Sequence, residues 1–234
     1  MKRLLAMIAL IMTLVLVFVS CDFLSSGDNE GGNTEHEHKM EGGSCVTCGR
    51  GYSEGLEFVS EGKGTCYVSG IGSCTDTDLI IPPTSPDGDK VTEIGNSAFT
   101  DCTSIVNVII PDSVSYICFG AFMNCDSLTS VVIPDGVSTV GYSSFSGCDS
   151  LKSVVIGYGT TLIDYGAFEN CGSLVSVTIP DSLTGIGAKA FSDCDSLTDV
   201  YYIGSEAEWG KILVLINNAP LKNATVHYDF VPEN

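Results

Sequence analysis

The sequence predicts a right-handed repeat solenoid: a curved parallel β-sheet on one face, short helical or 3-10 turns opposite, and a cap at each end. Three observations carry this. A proline turn returns as "IPDSV" at Ile110–Val114, "IPDGV" at Ile133–Val137 and "IPDSL" at Ile179–Leu183. Phenylalanine recurs every 23 residues, at Phe99, Phe122, Phe145, Phe168 and Phe191, and three residues after each comes Cys102, Cys125, Cys148, Cys171 or Cys194. Val108, Val131, Val154, Val177 and Val200 keep the same interval, with no insertion or deletion between copies. A fixed period of this length marks a chain built from stacked units.

Within one copy, "LTSVVIP" reads as an extended segment in which Val131 and Ile133 share a face, because side chains alternate along a strand. Pro134 ends it by removing a ladder donor. Val137 and Val140 point back inward, and "GYSSFSGC" then turns to carry Phe145 and Cys148 to the core. One copy has too little apolar surface to fold alone; stacked copies share one core.

The repeats occupy 91–203. Residues 45–90 are read as an N-terminal cap and partial repeat, since "CTDTDLIIPP" at Cys74–Pro83 matches "CTSIVNVIIP" at Cys102–Pro111 with one residue missing. "PTSPDGDK" is then a loop insertion before Val91 and Ile94 rejoin the pattern. Residues 204–234 form the C-terminal cap. There Ser205 with Glu208 makes a capping-box helix start, Trp209, Ile212 and Leu213 cover the last coil, and "ATVHYDF" adds a final strand over an otherwise open edge.

Ahead of the caps, residues 1–20 read as a secretory leader: Lys2 and Arg3 precede Leu4–Val19, a run with no charge and one polar residue, Thr13. A retained membrane span is the rival reading, but the chain turns polar at once after Ser20–Cys21. "VFVSC" resembles a bacterial lipoprotein signal, with Phe18 where an aliphatic is usual, which implies lipidation of Cys21. Residues 21–44 then form a flexible acidic tether, rich in Gly, Ser, Asp, Asn and Glu. The expected location is exported and lipid-anchored at the bacterial cell surface or outer membrane. With 29 acids against 10 bases, the chain repels nucleic acid and anionic headgroups, so nucleic acid is no partner and the membrane is reached through the lipid.

The recurring pattern L-x-x-V-x-I-P-x-x-V-x-x-I-G-x-x-A-F-x-x-C resembles the 23-residue leucine-rich repeat of BspA-like bacterial surface proteins, from about Cys74 to Tyr202. "YYIGSEAEW…ATVHY" is similar to that family's usual ending. The fourth copy departs with Gly157 and Tyr158 in place of Pro and Asp, and Cys118 and Asp164 replace glycine in the column of Gly95, Gly141 and Gly187. The resemblance implies a leucine-rich repeat solenoid and a non-catalytic adhesin whose partners are extracellular, host or matrix proteins or other cells. A structural envelope spacer without a specific ligand is the alternative.

Among candidate sites, the residues between core positions are expected to face outward: Asn107, Ile109, Ser130, Val132, Ser153, Val155, Ser176, Thr178, Asp199 and Tyr201. The apolar stripe Ile109–Val132–Val155 and the corner column Phe119, Tyr142 and Tyr165 are the candidate ligand-binding residues. No catalytic group is assigned; Asp112, Asp135 and Asp181 occupy equivalent turn positions, where Asp suits the backbone. The Cys74 and repeat cysteines fall in one column and are read as buried reduced thiols. His36, His38, Cys45 and Cys48 have the residue types of a zinc site. Set in a Gly-rich tether, they read first as a solvated spacer or a local Cys45–Cys48 disulfide, with zinc as the alternative, and no cofactor is assigned.

Overall fold

The computed structural model describes residues 51–232, together with the backbone of Met40–Glu41 (β1) and Ser44–Cys45 (β2). These two short segments pair antiparallel, Met40 opposite Cys45 and Glu41 opposite Ser44. The expected leader, Cys21, most of the tether, His36, His38 and Cys48 lie outside the described residues.

A second unit begins at Ser53, and its coils have three sides. The first side is a seven-stranded parallel sheet of β5 (Asp78–Ile80), β7 (Asn107–Ile109), β9 (Ser130–Ile133), β11 (Ser153–Ile156), β13 (Ser176–Ile179), β15 (Asp199–Tyr202) and β17 (Thr225–His227). Its register advances by one repeat per strand, so Val131 lies beside Val154 and Ile133 beside Ile156. The partial repeat joins it with Leu79 beside Val108, which absorbs the missing residue.

The second side is also a sheet. It contains β3 (Glu57–Gly62), β4 (Thr65–Gly70), β6 (Lys90–Ile94), β8 (Tyr116–Ile117), β10 (Thr139–Val140), β12 (Leu162–Ile163), β14 (Gly185–Ile186) and β16 (Leu213–Val214). Only β3 and β4 pair antiparallel, as a hairpin that lies against β6. The sequence predicts one sheet with turns opposite. The second sheet escapes that reading because most of its strands are two residues long and send one side chain inward, as Val140, Ile163 and Ile186 do.

A ladder of turns closes the third side. Ser97, Phe99 and Asp101 donate their N–H groups to the carbonyls of Phe119, Ala121 and Met123 in the next coil, at 2.8–2.9 Å. Later coils repeat the pattern, as in Phe145 N–H to Ala167 O and Phe168 N–H to Ala190 O. Two columns in this ladder have positive φ: Asp101, Asn124, Gly147, Asn170 and Asp193 at 58–73°, and Ser97, Gly120, Ser143, Gly166 and Lys189 at 49–61°. Asp, Asn and Gly dominate the first column because they tolerate the left-handed region best. Gly95, Gly141 and Gly187 lie elsewhere. At Gly141 an added Cβ would sit 2.3 Å from Ile117 O, so close approach, not positive φ, selects glycine there.

Inside, Phe99, Phe122, Phe145, Phe168 and Phe191 form one stack with ring centroids 5.0–5.5 Å apart, every ring fully buried. The neighbouring cysteines are free. Each of Cys125, Cys148, Cys171 and Cys194 donates its S–H to the carbonyl of the phenylalanine one coil back, at 3.0–3.2 Å. Burial pushes the Cys148 and Cys194 thiols up to about 12 and also raises Cys171 well above the ordinary thiol value. These four are thus satisfied donors as well as small apolar groups, whereas Cys74 and Cys102, expected to be buried with them, are only half-buried.

The ends are closed by single side chains. Ser53 exchanges two hydrogen bonds with Ile80 on the edge strand β5: its N–H donates to Ile80 O at 2.8 Å, and its Oγ accepts from Ile80 N–H at 2.9 Å. At the other end come α1 (Glu206–Trp209) and α2 (Ala219–Asn223). The Glu208 carboxylate accepts from the Ser205 N–H at 2.9 Å, as the capping box predicts, and also from the Ser205 Oγ at 2.7 Å. Trp209 packs edge-on against Tyr202 and Ile212 is buried, but Leu213, expected to cover the core, is exposed. Asn218, between β16 and α2, is buried. Its Oδ1 accepts the Phe191 N–H at 2.9 Å, while Nδ2 donates to Gly187 O at 2.9 Å and Leu215 O at 3.2 Å. It supplies by one amide what a further coil would supply by backbone.

One core position breaks its own column. Ala98, Ala121, Ala167 and Ala190 are matched in the third copy by Ser144, whose fully buried Oγ has no hydrogen-bond partner among the described residues. Removing an unpaired buried hydroxyl relieves its desolvation. Ser144→Ala is therefore expected to stabilise the fold by about 1 kcal/mol, read as a rise in the thermal or urea midpoint.

Candidate binding surfaces

Alternation along the seven-stranded sheet sends Val131 and Ile133 inward and Ser130 and Val132 outward, as expected. The outward row is not uniformly exposed, however. Val132 is open (44 % exposed), while Ile109, Ser130, Ser153, Val155 and Asp199 are half-buried. Asn107, Ser176, Thr178 and Tyr201 are buried, which corrects the expectation of a continuous exposed face.

The cause lies at both ends. Asn107 donates through Nδ2 to Asp78 at 2.6 Å and accepts from Thr129 at 3.3 Å. Tyr201 is packed by His227 and Phe230, with ring centroids 4.8 and 4.9 Å away, and Thr178 sits in register beside it. The same strand β17 brings His227 Nε2 to 2.7 Å from Asp199 Oδ1. Burial acts to raise the Asp199 carboxyl, but the hydrogen bonds from His227 and Thr198 outweigh it and hold the group below its usual range. This clamp joins residues 28 apart, and from sequence His227 reads only as a lone histidine in the last strand.

With the ends covered, the exposed apolar part of the row shrinks to Ile109, Val132 and Val155. Replacing Val132 and Val155 together by Thr should shift stability by less than about 0.5 kcal/mol, because Thr is also β-branched and its hydroxyl stays solvated. A melting curve that collapses would show that these side chains are part of the core.

The corner column is exposed and ordered. Phe119 and Tyr142 are each nearly half exposed, and Tyr165 is half-buried. Tyr142 and Tyr165 stack at 4.9 Å with an 11° interplanar angle; Phe119 tilts onto Tyr142 at 5.3 Å. Lys189 lies over Tyr165, its Nζ 5.9 Å from the ring centroid and 3.0 Å from Glu169 Oε1. The faces of these rings are therefore largely spent on one another, and their edges meet solvent.

Beside this column lies a surface that the sequence reading missed, because it belongs to the second sheet. Along its outer face Glu93, Tyr116, Thr139, Leu162, Gly185 and Leu213 follow one another in register. Tyr116, Leu162, Leu213, Leu215 and Ile216 are all exposed, Leu213 by 64 % and Ile216 by 71 %. The signal was present in the 23-residue column Tyr116–Thr139–Leu162. It has no core partner and so stays silent in a search for buried positions.

Of the turn acids, Asp135 serves the backbone. Asp135 accepts the Tyr158 N–H at 2.8 Å from the next coil. Among the described residues no group of three or more His, Cys, Asp or Glu side chains is placed to hold a metal ion, and Cys45 is described by its backbone alone.

Comparisons place this architecture. The model of the BspA type leucine rich repeat region matches residues 77–205 in 6 copies. Among solved structures, the chain is similar to a leucine rich cell surface protein from Faecalibacterium prausnitzii, at 34% identity and TM-score 0.63, over 68% of this chain and 41% of that one. It is similar to the leucine rich repeat protein of T. pallidum at 26% identity and TM-score 0.61, over 75% and 80% of the two chains. A leucine-rich repeat protein from Eubacterium ventriosum shares the fold, at 20% identity and TM-score 0.54, over 62% of this chain and 39% of that one. A comparison with curated proteins returned no match. With the matched copies spanning more than half of its length, the chain belongs to the BspA-type leucine-rich repeat family.

Proposed function

We propose that this protein is exported, held at the bacterial cell surface by a lipid on Cys21, and binds extracellular or host proteins or other cells through the outside of its solenoid. The observation that carries this reading is the cluster of exposed apolar and aromatic side chains on the second sheet and its corner, Tyr116, Phe119, Tyr142, Leu162, Leu213 and Ile216. Contiguous exposed apolar area of this kind marks interaction sites in soluble proteins. Family membership and the cell-surface protein of F. prausnitzii support the location. The role is binding, without catalysis, cofactor or nucleic acid.

Saturable binding of the purified protein to extracellular matrix proteins or to cells is the expected result. Absence of binding to any of these would favour a structural envelope spacer. For the anchor, Cys21→Ser is expected to release the protein into the medium or to leave unprocessed precursor. A fully processed chain that stays on the membrane would rule lipidation out.

A further inference from the structure

The outer face of the second sheet is not flat. Bulky and small residues alternate along it: Tyr116, Thr139, Leu162, Gly185, Leu213. The adjoining corner column does the same at its end, where Ala188 follows Tyr165 and Ile216 comes next, tied through the Lys189 N–H to Ile216 O at 3.0 Å. Gly185 and Ala188 therefore floor a notch, with Leu162 and Tyr165 as one wall and Leu213 and Ile216 as the other. The walls are two coil steps apart, roughly 10 Å at about 4.8 Å per strand. A Cβ built on Gly185 would meet Leu162 Cδ1 at 3.3 Å and nothing else within 4 Å, so the Leu162 side chain leans over the floor while the side toward Leu213 stays open. The sole carboxylate in the walls is Asp164, between Leu162 and Tyr165, whose Oδ1 accepts the Tyr165 N–H at 2.7 Å. The nearby Lys189 is engaged by Glu169 at 3.0 Å.

We infer that this notch seats an apolar side chain of a cationic protein segment, an inference that rests on the protein-binding reading above and names its site and partner chemistry. Charge decides among occupants. At −19, a second copy of this chain is repelled, as are nucleic acid and anionic lipid. The chain's own acidic tether has few apolar side chains to offer. A sugar would need exposed ring faces, but Tyr142 and Tyr165 cover each other at 4.9 Å. What remains is a polypeptide that presents Leu, Ile or Phe beside Lys or Arg, the apolar group between the walls and the cation near Asp164.

The test uses the full-length chain, immobilised through its N terminus, and two synthetic peptides, one alternating Lys with Leu and one alternating Glu with Leu. The Lys–Leu peptide should bind saturably and lose affinity as salt is raised, and the Glu–Leu peptide should not bind. Gly185→Thr fills the notch at a strand position where Thr is at home and φ is not left-handed, so it should weaken binding tenfold or more with an unchanged melting curve. Leu213→Ser, at a side chain 64 % exposed, should do the same without touching the core. Equal binding of both peptides, or undiminished binding by Gly185→Thr and Leu213→Ser, overturns the inference. Matrix or cell binding that survives both changes overturns the notch alone. Peptide binding through the notch in a protein that adheres to nothing sinks only the adhesion reading.

Discussion

Phe145→Ala is expected to destabilise the solenoid by about 3–5 kcal/mol. The ring lies in the middle of the stack, fully buried, with Phe122 at 5.1 Å on one side and Phe168 at 5.5 Å on the other. Truncation removes apolar surface from the core and breaks two aromatic contacts at once. Its backbone is pinned by the N–H bond to Ala167 O at 2.8 Å and by the Cys171 thiol on its carbonyl at 3.1 Å, so the site cannot collapse to fill the space. Because each coil touches only its neighbours, the loss also weakens the coupling between the two halves of the stack. Urea unfolding should show an earlier and broader transition. A loss under about 1 kcal/mol would mean that the stack repacks freely and that the hydrogen bonds, not the rings, set its register.

Asn218→Ala should cost about 1–3 kcal/mol, since it strands the buried Phe191 N–H and leaves the Gly187 carbonyl with the 3.3 Å bond from the Ala190 N–H alone. The damage should be local. Amide exchange at Phe191 and across the last coil should accelerate, while amides from Phe99 to Phe145 keep their protection. Uniform loss of protection along the whole stack would show that the coils unfold as one unit and that Asn218 is not a local cap.

What could be read from sequence follows from how each residue does its work. Phe99 to Phe191, the cysteine column and the valine column were legible because inward positions must be apolar in every coil, and repetition multiplies a weak signal five times. The partial repeat at Cys74–Pro83 was legible for the same reason. The second sheet was not: Thr139–Val140 or Gly185–Ile186 is too short to show alternation. The β3–β4 hairpin, Ser53 and Asn218 occur once each, so no column announces them. Burial of Thr178 and Tyr201 depends on a strand and a loop that follow them by more than 20 residues, and the Asp199–His227 clamp is set by that same docking. The candidate surface was half visible. Phe119, Tyr142 and Tyr165 stood out as a column, whereas the notch between Leu162 and Leu213 is created by what Gly185 lacks.

The constant spacing of the coils makes length a free parameter of this molecule. Residues 123–145 could be excised so that Phe122 runs directly into Ser146, Gly147 and Cys148, and every surviving group would still find an equivalent partner one coil away. Such a chain would be shorter by one strand spacing, about 4.8 Å, with both ends and the Gly185 notch intact. The domain is in that sense a ruler graduated in units of 23 codons: gene duplication or loss can change how far the C-terminal surface stands from the β3–β4 hairpin without altering what that surface recognises.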